Sequence, residues 1–199
     1  MVIRKAFKYR LKPTPGMTAR MARQAGACRF VWNKILAMNQ SRYLFGHRRL
    51  TFNEACWWLT FWKQTEELRW LNQVHSQVLQ QCLRDLERAY LNLFQGRALP
   101  PVFRKKGLAD SFRFPQGFKF DNRKIYLPKL GWVEFWKSRE LEGTAKNVTV
   151  SRRGTHWDVS VQVETEASEP VHPAEDQEIG IDLGIDTLLP SRRAYWFHH

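Results

Sequence analysis

Two kinds of residue in this chain could do chemistry: one carboxylate and a set of cations. In "EIGIDLGID", residues 178 to 186, an acidic residue leads into an apolar run that delivers Asp182 to a Gly turn. A carboxylate held at the end of a strand can share a divalent metal. Mg2+ gives up its waters reluctantly and binds weakly to isolated carboxylates, however, so Asp182 alone makes no metal site. The cations form patterns. In "VIRKAFKYRLK" the odd positions carry Ile3, Phe7, Tyr9 and Leu11 and the even ones Arg4, Lys8, Arg10 and Lys12, the period of a strand with one apolar and one basic face. The apolar face can pack and the basic face can meet phosphate; an edge strand kept soluble by its Lys and Arg gives the same pattern. A second basic knot, Arg104, Lys105 and Lys106, lies among Pro pairs, Gly and aromatics in "ALPPVFRKKGLADSFRFPQGFKF".

The elements that position these groups can be read along the chain. "KPTPG" changes the period from two to 3.6, with Thr14 as N-cap and Pro15 at the first helical position. A helix of roughly seven turns is predicted through "GMTARMARQAGACRFVWNKILAMNQ", with Met17, Met21, Cys28, Val31, Ile35 and Met38 along one side. Thr51 and Glu54 form a capping box for a second helix, "TFNEACWWLTFWKQ". Trp57, Trp58, Phe61 and Trp62 cannot share one narrow stripe, so most are expected in the core and at least one against a groove or partner. The third helix, "NQVHSQVLQQCLRDLERAYLNLFQG", repeats Val74, Val78, Cys82, Leu86, Tyr90 and Leu93 at threes and fours and stops at Gly96. Its lone His75 reads as structural rather than as a ligand. After Gly96, "KIYLPKLGWVEFW" and "KNVTVSRRGTHWDVSVQVE" read as strands, the latter a hairpin about Arg153 and Gly154 with Trp157, Val159, Val161 and Val163 on one face. The N-terminal strand is expected to join these strands in a small barrel, with the helices as an inserted lobe.

Composition sets the partner. The 199 residues hold 32 Lys and Arg against 19 Asp and Glu, a net charge of +13, and the pI is about 10.1; a phosphate-rich partner is the first expectation. Glu164, Glu166, Glu169, Glu175, Asp176 and Glu178 lie in a stretch without Lys or Arg, and without them the remainder carries +19. That acidic run, with Pro170 and Pro173, reads as a solvated linker over 166–178. The composition, 43% hydrophobic with nine Trp and thirteen Phe, is enough for a core and argues against a disordered tail. Cys28, Cys56 and Cys82 form no C-x-x-C pair, so reduced thiols are expected, with neither a disulfide framework nor a zinc site. No apolar h-region opens the chain and no apolar run is long enough to span a bilayer, so a cytoplasmic protein with no membrane partner is expected.

Seven stretches in order, "KAFKYRLKPTP", "ACRFVWN", "SQVLQQCLRDLERAYLNLF", "PVFRKKGLADSFRF", "IYLPKLGWVEF", "NVTVSRRGTHWDVSVQVE" and "IGIDLGID", resemble the transposon-encoded OrfB/TnpB proteins, RNA-guided DNA endonucleases related to type V CRISPR effectors. The resemblance implies an α+β fold: an oligonucleotide-binding-like wedge β-barrel from 1–12 and 97–165, a helical recognition lobe from 13–96, the linker, and the first strand of a RuvC nuclease domain from 179–189. It implies guide RNA and target DNA as partners, with base pairing reading sequence and the protein gripping backbone. Lys8, Arg10, Arg104, Lys105, Lys106 and Arg113 lie in the matching stretches and are the expected phosphate contacts; a solvated surface cation is the alternative for each. If about 10 phosphates are contacted, affinity falls by orders of magnitude on raising salt a few-fold. In a RuvC site Asp182 would be the first of three carboxylates holding two Mg2+ ions for in-line attack on a phosphodiester. "GIDLG" alone also opens actin-like ATPases and fits a plain buried strand. The later Glu and Asp segments and the paired-Cys zinc segment do not follow, and Asp186 does not replace carboxylates drawn from distant segments. The chain instead reads "LPSRRAYWFHH" over 189–199, as a frameshift or premature stop would give. The expectation is an N-terminal part that is nuclease-inactive alone, completed by a C-terminal complementing chain or acting as a nuclease-dead binding module.

Overall fold

The computed structural model describes residues 2–108 and 110–166. The linker expected after Glu166, the strand carrying Asp182 and the C-terminal stretch lie outside the described residues. Strand β1 (Val2–Lys12) is followed by α1 (Pro15–Leu44), α2 (Phe52–Gln64), a 3-10 turn (Arg69–Gln73) and α3 (Ser76–Phe94). Six strands then follow: β2 (Ser111–Phe114), β3 (Lys119–Asp121), β4 (Lys124–Leu127), β5 (Gly131–Phe135), β6 (Thr144–Arg153) and β7 (His156–Glu166). None of the described helices is long and apolar enough to cross a membrane.

The alternation in β1 is real: Phe7, Tyr9 and Leu11 are buried while Lys8, Arg10 and Lys12 are exposed. Yet β1 is not an edge. The antiparallel sheet runs β2-β6-β7-β1-β5-β4-β3, and β1 pairs with β7 from Val2 to Arg10 and with β5 at Leu11 and Lys12. The N-terminal strand therefore joins the later ones as expected, but the barrel does not close. The sheet is open, with short β2 and β3 as its outer strands. The β6–β7 hairpin turns at Gly154, in the left-handed region at φ 56°, and buries Trp157, Val159, Val161 and Val163 on one face.

Thr14 caps α1, its hydroxyl accepting from Met17 N at 3.3 Å with Pro15 next in the first turn. At 30 residues the helix is about 45 Å long, and Met21, Cys28, Val31 and Ile35 are buried along the expected side, with Met17 and Met38 partly buried. Thr51 and Glu54 form both halves of the capping box of α2. The aromatic expectation for α2 holds in part. Trp62 is buried and Trp58 packs half-buried against the core, so the core takes only two of the four, while Trp57 and Phe61 are 61% and 45% exposed and stack on each other at 5.8 Å. Helical periodicity explains the split, since residues four apart share a face: 57 pairs with 61 and 58 with 62. The third helix starts at Ser76, later than its periodicity predicts, because Arg69–Gln73 winds as a 3-10 turn; Val74 still reaches the core. Gly96, at φ 68°, ends it. Helices α1 and α3 pack beside β2, where His75 lies 6.1 Å from Phe114.

Candidate nucleic-acid interface

The side of the sheet opposite Phe7 and Tyr9 is polar, and strand register builds it. Arg113, Thr149, Ser160 and Lys8 stand opposite one another across β2, β6, β7 and β1; Ser111, Ser151, Asp158 and Arg10 form the adjacent row. Arg113, Thr149 and Ser160 of the first row, with Arg4, Asn147 and Gln162, border a depression of about 330 Å³. Small hydroxyls and amides make its floor and long cations its rim, an arrangement that can bind phosphate oxygens without reading bases.

The electrostatics of this face rest on carboxylates shared between cations. Lys8 Nζ lies 3.0 Å from Asp158 Oδ2 and Arg10 Nε 3.9 Å from Oδ1. Arg4 Nε and Lys146 Nζ lie 3.1 and 3.0 Å from the two oxygens of Glu164, and the bonds from Lys146 and then Arg4 hold that carboxyl below its usual range. Two cations per acid leave surplus positive charge, oriented rather than cancelled. Arg113 is matched one to one: its Nη2 donates to both oxygens of Asp85 on α3, at 3.1 and 3.3 Å. Lys8, Arg10 and Arg113 are visible as candidates in the sequence, whereas Asp158 and Asp85 are not; Glu164, read from the sequence with the acidic linker run, instead lies in β7 paired to Arg4 and Lys146. Each partner comes from another strand or helix, and no local spacing reports it.

The basic knot is built differently. Trp32 Nε1 donates to Val102 O at 3.0 Å, and the Asn33 side chain bonds both backbone groups of Arg104, at 2.8 and 3.0 Å. Arg29 Nη1 reaches Asp110 Oδ1 at 2.6 Å, while Asp110 Oδ2 accepts from Gly107 N. So "CRFVWN" in α1 clamps "PVFRKKGLAD", which explains why both stretches carry side chains suited to each other. Within the clamp the Arg104 guanidinium sits 3.8 Å from the centre of the Trp32 ring and donates to Cys82 Sγ. Arg104 is thus half-buried as an anchor, whereas Lys105 and Lys106 are exposed with no carboxylate paired to them among the described residues. A small cavity lined by Arg104, Asp85, Arg113 and Thr149 joins the loop to the polar face. Asp182 lies outside the described residues, and among those described no three His, Cys, Asp or Glu side chains converge to hold a metal ion.

Fold and surface together define an α+β protein that presents an ordered cationic face. Comparison with known proteins gives the family. Residues 1–44 match a helix-turn-helix domain model of the OrfB IS605 type; here those residues form β1 and α1, one strand and one long helix. The chain is 45% identical to "Putative RNA-guided DNA endonuclease InsQ" of Escherichia coli (strain K12) over 92% of its own length and 46% of that protein's. It is 36% identical to a "Putative RNA-guided DNA endonuclease" of Streptomyces pristinaespiralis over 94% of its own length and 48% of that protein's. This chain belongs to the OrfB/TnpB family of transposon-encoded proteins, and it spans about half the length of the curated relatives it matches.

Proposed function

We propose that this chain is the N-terminal, nucleic-acid-gripping part of an RNA-guided DNA endonuclease, binding a guide RNA and its target DNA through backbone phosphates. The observation that carries the reading is the pairing of two cations to each of Asp158 and Glu164 on the polar sheet face. Each of these acids leaves one positive charge uncancelled on a face otherwise lined by hydroxyls and amides, a charge that a phosphate oxygen can neutralise. The exposed Lys105 and Lys106 extend that surplus, and base pairing rather than side chains would supply sequence choice.

In this reading the strands from 1–12 and 97–165 serve as the wedge domain and 13–96 as the recognition lobe. Glu166 closes β7, and beyond it the proposal assigns a linker up to 178, the first RuvC strand to 179–189 and a divergent tail to 190–199. Cleavage would need Mg2+ on Asp182 together with two further carboxylates. Residues 2–108 and 110–166 offer no cluster of three such side chains. By itself the chain is proposed to bind without cutting, with the remaining carboxylates supplied by a longer product or a second chain. The test is a filter-binding and cleavage assay with single-stranded RNA and duplex DNA, with and without Mg2+. Salt-sensitive binding without cleavage is expected. Metal-dependent cleavage by this chain alone would overturn the inactive-part reading, and absence of binding at low salt would overturn the function.

A further inference from the structure

A cavity of about 420 Å³ lies where α1, the 3-10 turn and the β4–β5 turn meet, lined by Arg20, Arg23, Gln24, Trp70, Gln73 and Lys129 among others. Four features mark it as more than a packing gap. Gln24 is only 3% exposed, and its Oε1 has no hydrogen-bond partner among the described residues; buried polar atoms are otherwise almost always satisfied. Gly26 sits inside α1, where Gly weakens a helix relative to Ala, yet packing does not require it: a Cβ there would meet only the Arg29 guanidinium, at 3.7 Å. Its missing side chain keeps the cavity wall flat. Arg20, Arg23 and Lys129 give the rim three cations and, among the described residues, no acid, and Arg20 Nη2 ties the β4–β5 turn to α1 through the Lys129 carbonyl. After burial, Lys129 and Lys63 are what hold His75 below its ordinary pKa, a sign of positive potential in this region. Trp70 is 40% exposed, its ring steadied by Phe30 at 5.4 Å.

We propose that this cavity receives one unpaired nucleotide of a bound strand. The base stacks on Trp70, its edge meets the Gln24 amide, and the flanking phosphate lies among Arg20, Arg23 and Lys129. An indole, an orphan amide and a cationic rim complement the three parts of a nucleotide, and a stacked base is recognised with little regard to sequence. The proposal rests on the nucleic-acid reading above and adds a defined pocket to it.

The test is photo-crosslinking of the full chain to a short single-stranded RNA carrying 4-thiouridine, with mass-spectrometric mapping, alongside affinity measured by fluorescence anisotropy. Crosslinks to Trp70 or Gln73 are expected. Gly26→Leu fills the cavity from a site with room for a side chain; it should abolish those crosslinks and weaken binding roughly 5- to 160-fold, as loss of one stacked base does. Trp70→Leu should reproduce the loss while leaving the Gly26 wall unchanged, and an unaltered urea-unfolding midpoint for each variant shows that the fold is kept where Trp70 packs on Phe30. If Gly26→Leu and Trp70→Leu bind and crosslink normally, the pocket is overturned while the function stands. If the unsubstituted chain binds no oligonucleotide at low salt, the function falls and the pocket with it. Loss of the crosslink to AMP or UMP at concentrations comparable to the RNA would replace a strand-borne nucleotide with a free one and overturn the proposal.

Discussion

In the loop of residues 97–110 the cations separate by role, Arg104 lying over Trp32 inside the clamp while Lys105 and Lys106 face solvent. On the polar face of the sheet the cations are instead held in pairs on shared carboxylates, Lys8 and Arg10 on Asp158, Arg4 and Lys146 on Glu164. Residues of one type therefore act as anchor, as free charge or as oriented surplus. Carboxylates and aromatics brought from distant elements decide which. The loop presents its free charge on solvent-exposed Lys side chains; the sheet fixes its charge in rows set by strand register.

Substitution should matter most at the clamp. Trp32→Ala removes a buried indole, its bond to Val102 and the surface under Arg104, and should cost about 3–5 kcal/mol in urea unfolding; a cost below about 1 kcal/mol would mean the loop is held elsewhere. Next, Arg104→Ala should lower stability by about 1–2 kcal/mol, as loss of a partly desolvated cation–π contact does. The Lys105→Ala, Lys106→Ala double variant should leave the unfolding midpoint unchanged and weaken oligonucleotide binding. The opposite pattern would dissolve the division between anchor and free charge. On the sheet, Asp158→Asn removes the acid that Lys8 and Arg10 share. It should raise affinity for a single-stranded oligonucleotide a few-fold at low salt and steepen the salt dependence by about one phosphate contact; unchanged binding would mean those cations do not face the ligand.

The smallest effect concerns a pair away from both regions. Arg48 first, then the backbone N–H and hydroxyl of Thr51, hold the Glu54 carboxyl at about 2, down from 4.5. A depressed carboxyl stabilises the fold above its unfolded value, and the contribution fades as pH falls from about 4.5 through about 2. Glu54→Gln should flatten the unfolding midpoint's pH dependence in that window, slightly, because the pair is exposed. An unchanged profile would show that the cap works through its backbone bonds alone.

What the sequence could and could not reveal follows from range. The two-residue period of β1, the Thr14 and Thr51 caps and the Trp157 to Val163 face are local patterns, and each is present in the structure. The position of β1 in the middle of the sheet is not local; an edge strand and a central strand with one solvated face share the same alternation. The open sheet in place of a barrel depends on how few residues β1 gives to β5, which no single segment encodes. Trp57 and Phe61 are as apolar as Trp62, and only the packing of α2 decides which of its faces stays in solvent. For the candidate interface, the cations were legible as residue types, but the division of Arg104 from Lys105 needed the clamp from α1, where Asn33 lies 71 residues away along the chain. Gln24 and Gly26 gave no signal at all, since an amide and a glycine within a helix are unremarkable until the cavity beside them is seen.

The measurement that bears most directly on the central claim is the affinity of the full chain for a single-stranded RNA as a function of salt, compared with the Lys105→Ala, Lys106→Ala double variant. A steep linear fall of log K against log salt is expected, with the slope shallower by up to about 1.4 in the variant, roughly 0.7 per lost phosphate contact. A flat salt dependence, or identical slopes together with identical affinities, would contradict the reading of this surface as a grip on nucleic-acid backbone.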